Sequence, residues 1–347
     1  MLTRLRSLVL PLILSVPLGA LAGPFSSLFV FGDSLSDTGN LALISPANGP
    51  NPANGPYDGG RFSDGPLWIE GLASGLGLAG QAAPALLGGN NYAFAGARTG
   101  AVGNPPGVLA QAAGLWGPGY APWGLPAHLS ADPNALYVVV GGGNDMRDAR
   151  SLYTGMTPAD SAGRAGAAAA AIANLSNTLG YLASLGAKNI LISTLPDLGF
   201  TPEANLLGLT AASADASAWF NGYVPGLMGF GTSLGLHMHL LDMAGLGQDI
   251  QQNPADFGIT NTHWPCAGFT YSQGAGCDQS AFSDVLHPSA LVGSLFARAA
   301  LEVLGVPEPG TLFLLGLALL TLTLVQRRRL TSRLQAYGSG AARGRGV

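Results

Sequence analysis

Phe29-Val30-Phe31-Gly32-Asp33-Ser34-Leu35-Ser36-Asp37-Thr38-Gly39-Asn40 is the stretch on which the reading of this chain turns. A buried-strand pattern stops at a glycine and opens into a polar turn that presents Ser34. Working outward, the runs 136–140, 189–193 and 238–241 are also short, apolar and bounded by turn residues, and 91–94 is a shorter fifth candidate. Helical patterns lie between and after them, at 66–76, 161–185, 211–234 and 288–304, and the alanine-rich 165–173 is a strong helix former. Strands that alternate with helices predict an α/β fold, a parallel sheet covered on both faces. Such sheets bind ligands at the carboxyl ends of their strands, where Ser34 and Asn144 both fall. The span between the terminal segments, about 285 residues, suits one large α/β domain or two small ones. No linker, repeat or charge run divides it.

Ser34 has two readings at such a turn. It is a nucleophile, or it caps the following helix, a role that Ser36 or Asp37 would fill equally well. The Gly-x-Ser-x-Gly elbow of α/β-hydrolases is absent, since Ser36 stands at the second glycine position. Asp284 and His287 stand three apart just before Pro288. A carboxylate at that spacing reaches the imidazole Nδ1–H within one turn and turns Nε2 toward a serine. The competing role of Asp284 is to cap the helix that Pro288 opens. His128, His237, His239 and His263 lack an acidic partner in register and read as structural. Gly141-Gly142-Gly143-Asn144-Asp145 follows a strand and offers backbone N–H groups and the Asn144 amide to a developing oxyanion. A phosphate loop would need a Lys-Ser/Thr ending or a Gly-x-Gly-x-x-Gly spacing, and neither follows. Gly96, after the short run 91–94, is a second candidate, because a glycine lets substrate approach its N–H closely.

These blocks together resemble the GDSL, or SGNH-hydrolase, family of lipases and esterases. Gly32-Asp33-Ser34-Leu35 matches its serine block, 91–97 its glycine block, 142–145 its Gly-x-Asn-Asp block and Asp284 to His287 its Asp-x-x-His block. Gly60-Arg61-Phe62-Ser63-Asp64-Gly65 and Leu195-Pro196-Asp197-Leu198-Gly199 are similar to stretches of its secreted bacterial members. The resemblance covers nearly all of 29–304. It implies a flavodoxin-like three-layer α/β/α sandwich without metal or cofactor. It also implies Ser34, Asp284 and His287 as catalytic residues, with Gly96 and Asn144 joining Ser34 in the oxyanion hole.

The ends speak of location. Residues 1–22 have a basic start at Arg4 and Arg6, an apolar stretch and the small-x-small site Ala20-Leu21-Ala22, the layout of a signal peptide cut by signal peptidase. At the other end Val306-Pro307-Glu308-Pro309-Gly310 precedes the apolar run 311–325 and Arg327-Arg328-Arg329. This end resembles the PEP-CTERM sorting signal of Gram-negative bacteria, which implies an exosortase as partner and release or surface attachment. The competing reading is a plain inner-membrane anchor with cytoplasmic arginines. The expected layout is a signal peptide over 1–22, a catalytic domain over 23–305, a sorting signal with a short membrane segment over 306–329, and a basic tail over 330–347, the last a departure from the sorting pattern.

The formal net charge of −4 hides an asymmetry, for all 19 acidic residues lie between Gly23 and Gly310 beside only seven of the 15 basic ones, leaving that stretch at −12. This is the opposite of a nucleic-acid footprint and favours neutral or polar substrates. Cys266 and Cys277, the two cysteines of the chain, are expected to form a disulfide outside the cytoplasm, and without paired histidines they make a poor zinc site. The sequence thus points to an exported serine esterase or lipase acting on a small-molecule or lipid ester. A carbohydrate O-deacetylase using the same site and a non-catalytic surface protein on the same scaffold are the alternatives. The Gly- and Pro-rich 102–129, with Trp116 and Trp123, is either an apolar acyl-binding flap or simply a packed loop.

Overall fold

The computed structural model describes residues 23–47, 49–50, 56–116, 130–266 and 275–306, with 316, 319–324 and 327 beyond them. The expected signal peptide, most of the sorting segment, the tail and the whole of 117–129, with Trp123 and His128, lie outside the described residues. Among the described residues no helix is long and apolar enough to cross a membrane.

Four strands, β1 (Leu28–Phe31), β2 (Leu136–Val139), β3 (Asn189–Ser193) and β4 (His237–Leu241), pair in parallel in the order β1-β2-β3-β4. The fifth expected strand is instead an extended segment beside β1, bridged only at Asn91, to Val30 on one side and Pro84 on the other, too briefly to count as a strand. Val30 donates to the Asn90 carbonyl at 3.0 Å, and Tyr92 and Phe94 donate back to Val30 and Gly32 at 2.8 and 3.1 Å. Counting this segment, the chain-order numbering across the sheet is 2-1-3-4-5, the flavodoxin-like arrangement, whose switch point lies between β1 and β2. A small second sheet, not foreseen, pairs β5 (Asn261–Pro265) with β6 (Ser280–Phe282) in parallel.

Nine helices stand among the described residues: α1 (Asn40–Ile44), α2 (Trp68–Gly75), α3 (Val108–Trp116), α4 (Gly143–Leu152), α5 (Pro158–Ser184), α6 (Pro202–Leu206), α7 (Thr210–Ser233), α8 (Met243–Gln252) and α9 (Ala290–Val303). Side chains alternate along a strand, and β1 divides accordingly. Phe29 and Phe31 pack with Tyr137, Met146 of α4, Leu175 of α5 and Phe220 of α7. Leu28 and Val30 pack with Leu72 of α2, Ile250 of α8 and Phe296 of α9. Both faces are therefore buried, which is why the strands read as unbroken apolar runs rather than as alternations. Cys266 and Cys277 are bonded as a disulfide, as the sequence led us to expect.

Candidate active site

Three segments meet at the carboxyl ends of β1 and β2. After Phe31 the chain makes a single turn, with Ser36 and Asp37 both donating to the Asp33 carbonyl at 3.0 Å. The N-cap position of α1 is Gly39, and of the three candidates it is Asp37 that serves the first donors of the helix, its oxygens accepting from Gly39, Asn40 and Leu41 at 2.8, 2.6 and 3.1 Å. Its Oδ2 also accepts from Ala95 N–H at 2.8 Å, so one buried carboxylate ties the Ser34 turn to the Gly96 loop. Burial pushes its pKa up in spite of these four donors. Ser36 accepts from the Trp68 indole at 3.2 Å, and Ser34 is left to the site.

Ser34 Oγ lies 2.8 Å from His287 Nε2, and His287 Nδ1 lies 2.6 Å from Asp284 Oδ2. All three residues are buried. Burial alone would raise the Asp284 pKa, but the imidazole charge, hydrogen bonds from His287 and the Tyr57 hydroxyl hold it down at about 2. An ionised carboxylate only accepts, so in the neutral imidazole Nδ1 carries the proton, Nε2 is the acceptor and the Ser34 hydroxyl donates to it. The two oxygens of Asp284 divide their work. Oδ1 accepts from Leu286 and His287 N–H at 2.7 and 2.6 Å, while Oδ2 serves the imidazole and Tyr57 Oη, the latter at 2.7 Å. Asp284 does not cap the following helix. That helix starts at Ala290, and its cap is Ser289, whose side chain accepts from Val292 N–H. The loop is further held by Asp64, from the 60–65 stretch, which accepts from Ser283 Oγ at 2.6 Å and Ala290 N–H at 2.8 Å. Phe62 lies against the imidazole with ring centroids 5.0 Å apart.

Gly96 and Asn144 line one cavity with Ser34, Asp284 and His287. Gly96 has φ 82°, a left-handed backbone that only glycine adopts freely. Gly142, the N-cap of α4, has φ 115°, and a Cβ there would fall 2.4 Å from the Phe220 ring, so glycine is needed for the turn that carries Asn144. Asn144 Nδ2 donates to the Ala97 carbonyl at 2.9 Å, and Arg147 Nη1 donates to its Oδ1 at 3.2 Å. Sequence reasoning missed Tyr57 and Glu203, which line the site cavity from distant segments, and Arg147, which lines it from the same helix as Asn144. Their signal, a Tyr upstream of 60–65 and an Arg one turn after Asn144, has meaning only once the fold is known.

A second, apolar cavity also reaches Ser34, lined by Leu195, Leu198, Phe200, Ile250, Phe282 and Phe296 among others. The stretch 195–199 therefore belongs to this wall. The other histidines stand apart: His237 Nδ1 is 3.1 Å from Asn189 Oδ1, and His263 Nδ1 is 2.7 Å from Thr262 Oγ1. Burial lowers the pKa of His239. Among the described residues no group of three His, Cys, Asp or Glu could hold a metal ion.

The family model of the GDSL-like lipases and acylhydrolases matches residues 28–300, and that of the PEP-CTERM protein-sorting motif matches 305–329. The chain is 29% identical to the phosphatidylcholine-sterol acyltransferase of Aeromonas hydrophila over 279 residues, 75% of this chain and 71% of that protein. It is 30% identical to the esterase EstA of Pseudomonas aeruginosa over 344 residues, 84% of this chain but 49% of EstA, so it spans about half the length of that relative. Among solved structures, the carbohydrate acetylesterase Est24 of Sinorhizobium meliloti aligns with a TM-score of 0.42 at 15% identity, covering 80% of this chain and 98% of Est24. On the family match, which takes in both Ser34 and His287, the chain belongs to the GDSL-like lipase/acylhydrolase family, as a hydrolase of carboxylic esters.

Proposed function

We propose that this protein cleaves esters through an acyl-serine formed on Ser34, with His287 as general base and acid and Asp284 as its orienting carboxylate. The observation that carries this reading is the unbroken chain Ser34 Oγ to His287 Nε2 at 2.8 Å and His287 Nδ1 to Asp284 Oδ2 at 2.6 Å. His287 Nε2 takes the hydroxyl proton as Oγ bonds to the ester carbonyl carbon. The oxygen that gains the negative charge is received by the Ser34 and Gly96 N–H groups and by Asn144 Nδ2. As the tetrahedral species collapses, the imidazolium gives its proton to the departing alcohol. Water, deprotonated by the same nitrogen, then attacks the acyl carbon, and the proton returns to Ser34 Oγ as the acid leaves.

The apolar cavity beside Ser34 favours esters with a hydrocarbon chain, which its walls would take out of water. The second reading, a carbohydrate O-deacetylase, is favoured by the other cavity, where Tyr57, Asn104, Arg147 and Glu203 offer polar groups to a sugar. Turnover of nitrophenyl esters of increasing acyl length separates the two: a rise from two toward about eight carbons supports the chain ester, and a maximum at acetate supports the deacetylase. Ser34→Ala abolishes turnover, and a fluorophosphonate labels the wild type only. Labelling of Ser34→Ala at a comparable rate would refute the nucleophile. For location, the reading is export with removal of 1–22 by signal peptidase, then passage to an exosortase through a transient membrane association of 306–329, which the match to the sorting motif supports.

A further inference from the structure

Asn144 can donate to an oxyanion only if its amide is turned with Nδ2, not Oδ1, toward Ser34. A carboxamide is nearly symmetric in shape, so its surroundings must choose between the two orientations. Two neighbours do so, from opposite sides. The Ala97 carbonyl, 2.9 Å from Nδ2, is purely an acceptor, and the Arg147 guanidinium, 3.2 Å from Oδ1, is purely a donor. A flipped amide would set oxygen against oxygen and N–H against N–H. One Nδ2 hydrogen goes to Ala97, and the second remains for the substrate.

Arg147 is itself fixed. Its Nε and Nη2 hold Glu203 in a two-point pair at 3.0 and 2.5 Å, which leaves Nη1 for Asn144. Glu203 also receives Nη2 of the buried Arg150, and its own backbone N–H donates to the Val285 carbonyl at 2.7 Å. Val285 lies between Asp284 and His287. The chain Asn144–Arg147–Glu203–Val285 therefore joins the oxyanion side of the site to the histidine loop.

We propose that Arg147 is a positioning residue: with Glu203 as its anchor, it sets the Asn144 amide in the donating orientation. The proposal rests on the esterase reading above. Arg147 side-chain exposure is 32%, and Glu203 keeps Arg150 as a partner when Arg147 is replaced, so Arg147→Met leaves no orphaned buried charge.

The test is a double-mutant cycle on the full chain with a nitrophenyl ester, reading kcat and KM apart and fold by circular dichroism. Asn144→Ala lowers kcat by about 10²–10³. Arg147→Met lowers kcat by about tenfold or more with KM little changed, less than losing the donor altogether. In the Asn144→Ala background the same replacement costs nothing further, because there is no amide left to orient. An undiminished cost in that background, a change confined to KM, or an unaltered kcat in the single variant overturns the proposal. Arg147→Leu, equally without a donor, is read the same way should Arg147→Met not fold. If Asn144→Ala itself retains full kcat, it is the oxyanion assignment that fails, and the cycle tells the two failures apart.

Discussion

Replacing Asp284 by Asn separates the two jobs its oxygens perform. The backbone N–H groups of Leu286 and His287, 2.7 and 2.6 Å from Oδ1, can accept nothing, so the new amide must keep its oxygen on that side. Its NH₂ then takes the place of Oδ2, facing His287 Nδ1 and the Tyr57 hydroxyl. Tyr57 can rotate its proton away and accept, but Nδ1 can accept only by giving up its proton. The imidazole is driven into the tautomer with Nε2–H, which has no lone pair for the Ser34 proton. The charge is lost as well: the displacement of the Asp284 pKa from 3.8 to about 2 corresponds to roughly 2–3 kcal/mol in favour of the ionised form, net of burial. The imidazole supplies only part of that, so forfeiting the charge costs at most roughly 30- to 150-fold in kcat, and the wrong tautomer carries the total toward the ~10⁴ known for the same change in serine proteases. Stability should change by less than about 1 kcal/mol, since the backbone hydrogen bonds survive. The assay is kcat on a nitrophenyl ester beside Tm for the same preparation. Wild-type kcat at an unchanged Tm would refute the reasoning and leave His287 and Ser34 working as a dyad.

Tyr57→Phe removes one donor from Asp284 Oδ2, a charged hydrogen bond of about 1.5–3 kcal/mol at most, so kcat should fall about tenfold and the acid limb of kcat/KM should move to higher pH; an unmoved limb excludes Tyr57 from the relay. Asp33 is buried, and desolvation raises its pKa from 3.8 to about 6, against the opposing Leu35 N–H. A raised acid pKa means that the folded chain holds this proton more tightly, so its penalty is absent below about pH 4, grows up to about pH 6 and is complete above. Asp33→Asn should therefore gain on the order of 2–3 kcal/mol in urea melts at pH 8 and nothing at pH 3.5, and an equal gain at both would refute the burial account. Replacing Cys266 and Cys277 together by Ala should cost about 3 kcal/mol in urea melts at pH 7 for a separation of 11 residues, while reductant should leave the Tm of the double variant untouched.

What the sequence by itself determined is what local chain geometry enforces. The apolar run 28–31 ending in a glycine-bounded turn places Ser34 at a strand end whatever packs around it. The three-residue spacing of Asp284 and His287 makes their contact a property of one turn. Buried strands alternating with long helices leave few folds but a covered parallel sheet. Tertiary structure decided everything that depends on which segments meet. The run 91–94 carries a strand-like pattern, yet its place beside β1 gives it too few bridges to become one. Asp37 rather than Ser34 came to serve the first donors of the helix, and Asp284 turned from the helix to its own loop, because packing chose among equally competent local acceptors. Tyr57 reaches Asp284 across 227 residues and Arg147 reaches Glu203 across 56, and no periodicity records such separations. The apolar wall at Leu195, Ile250 and Phe296 is likewise assembled from three distant segments, which no local pattern connects. Local spacing fixes angles along the chain; which side chains meet across the sheet follows only from the packing of both its faces.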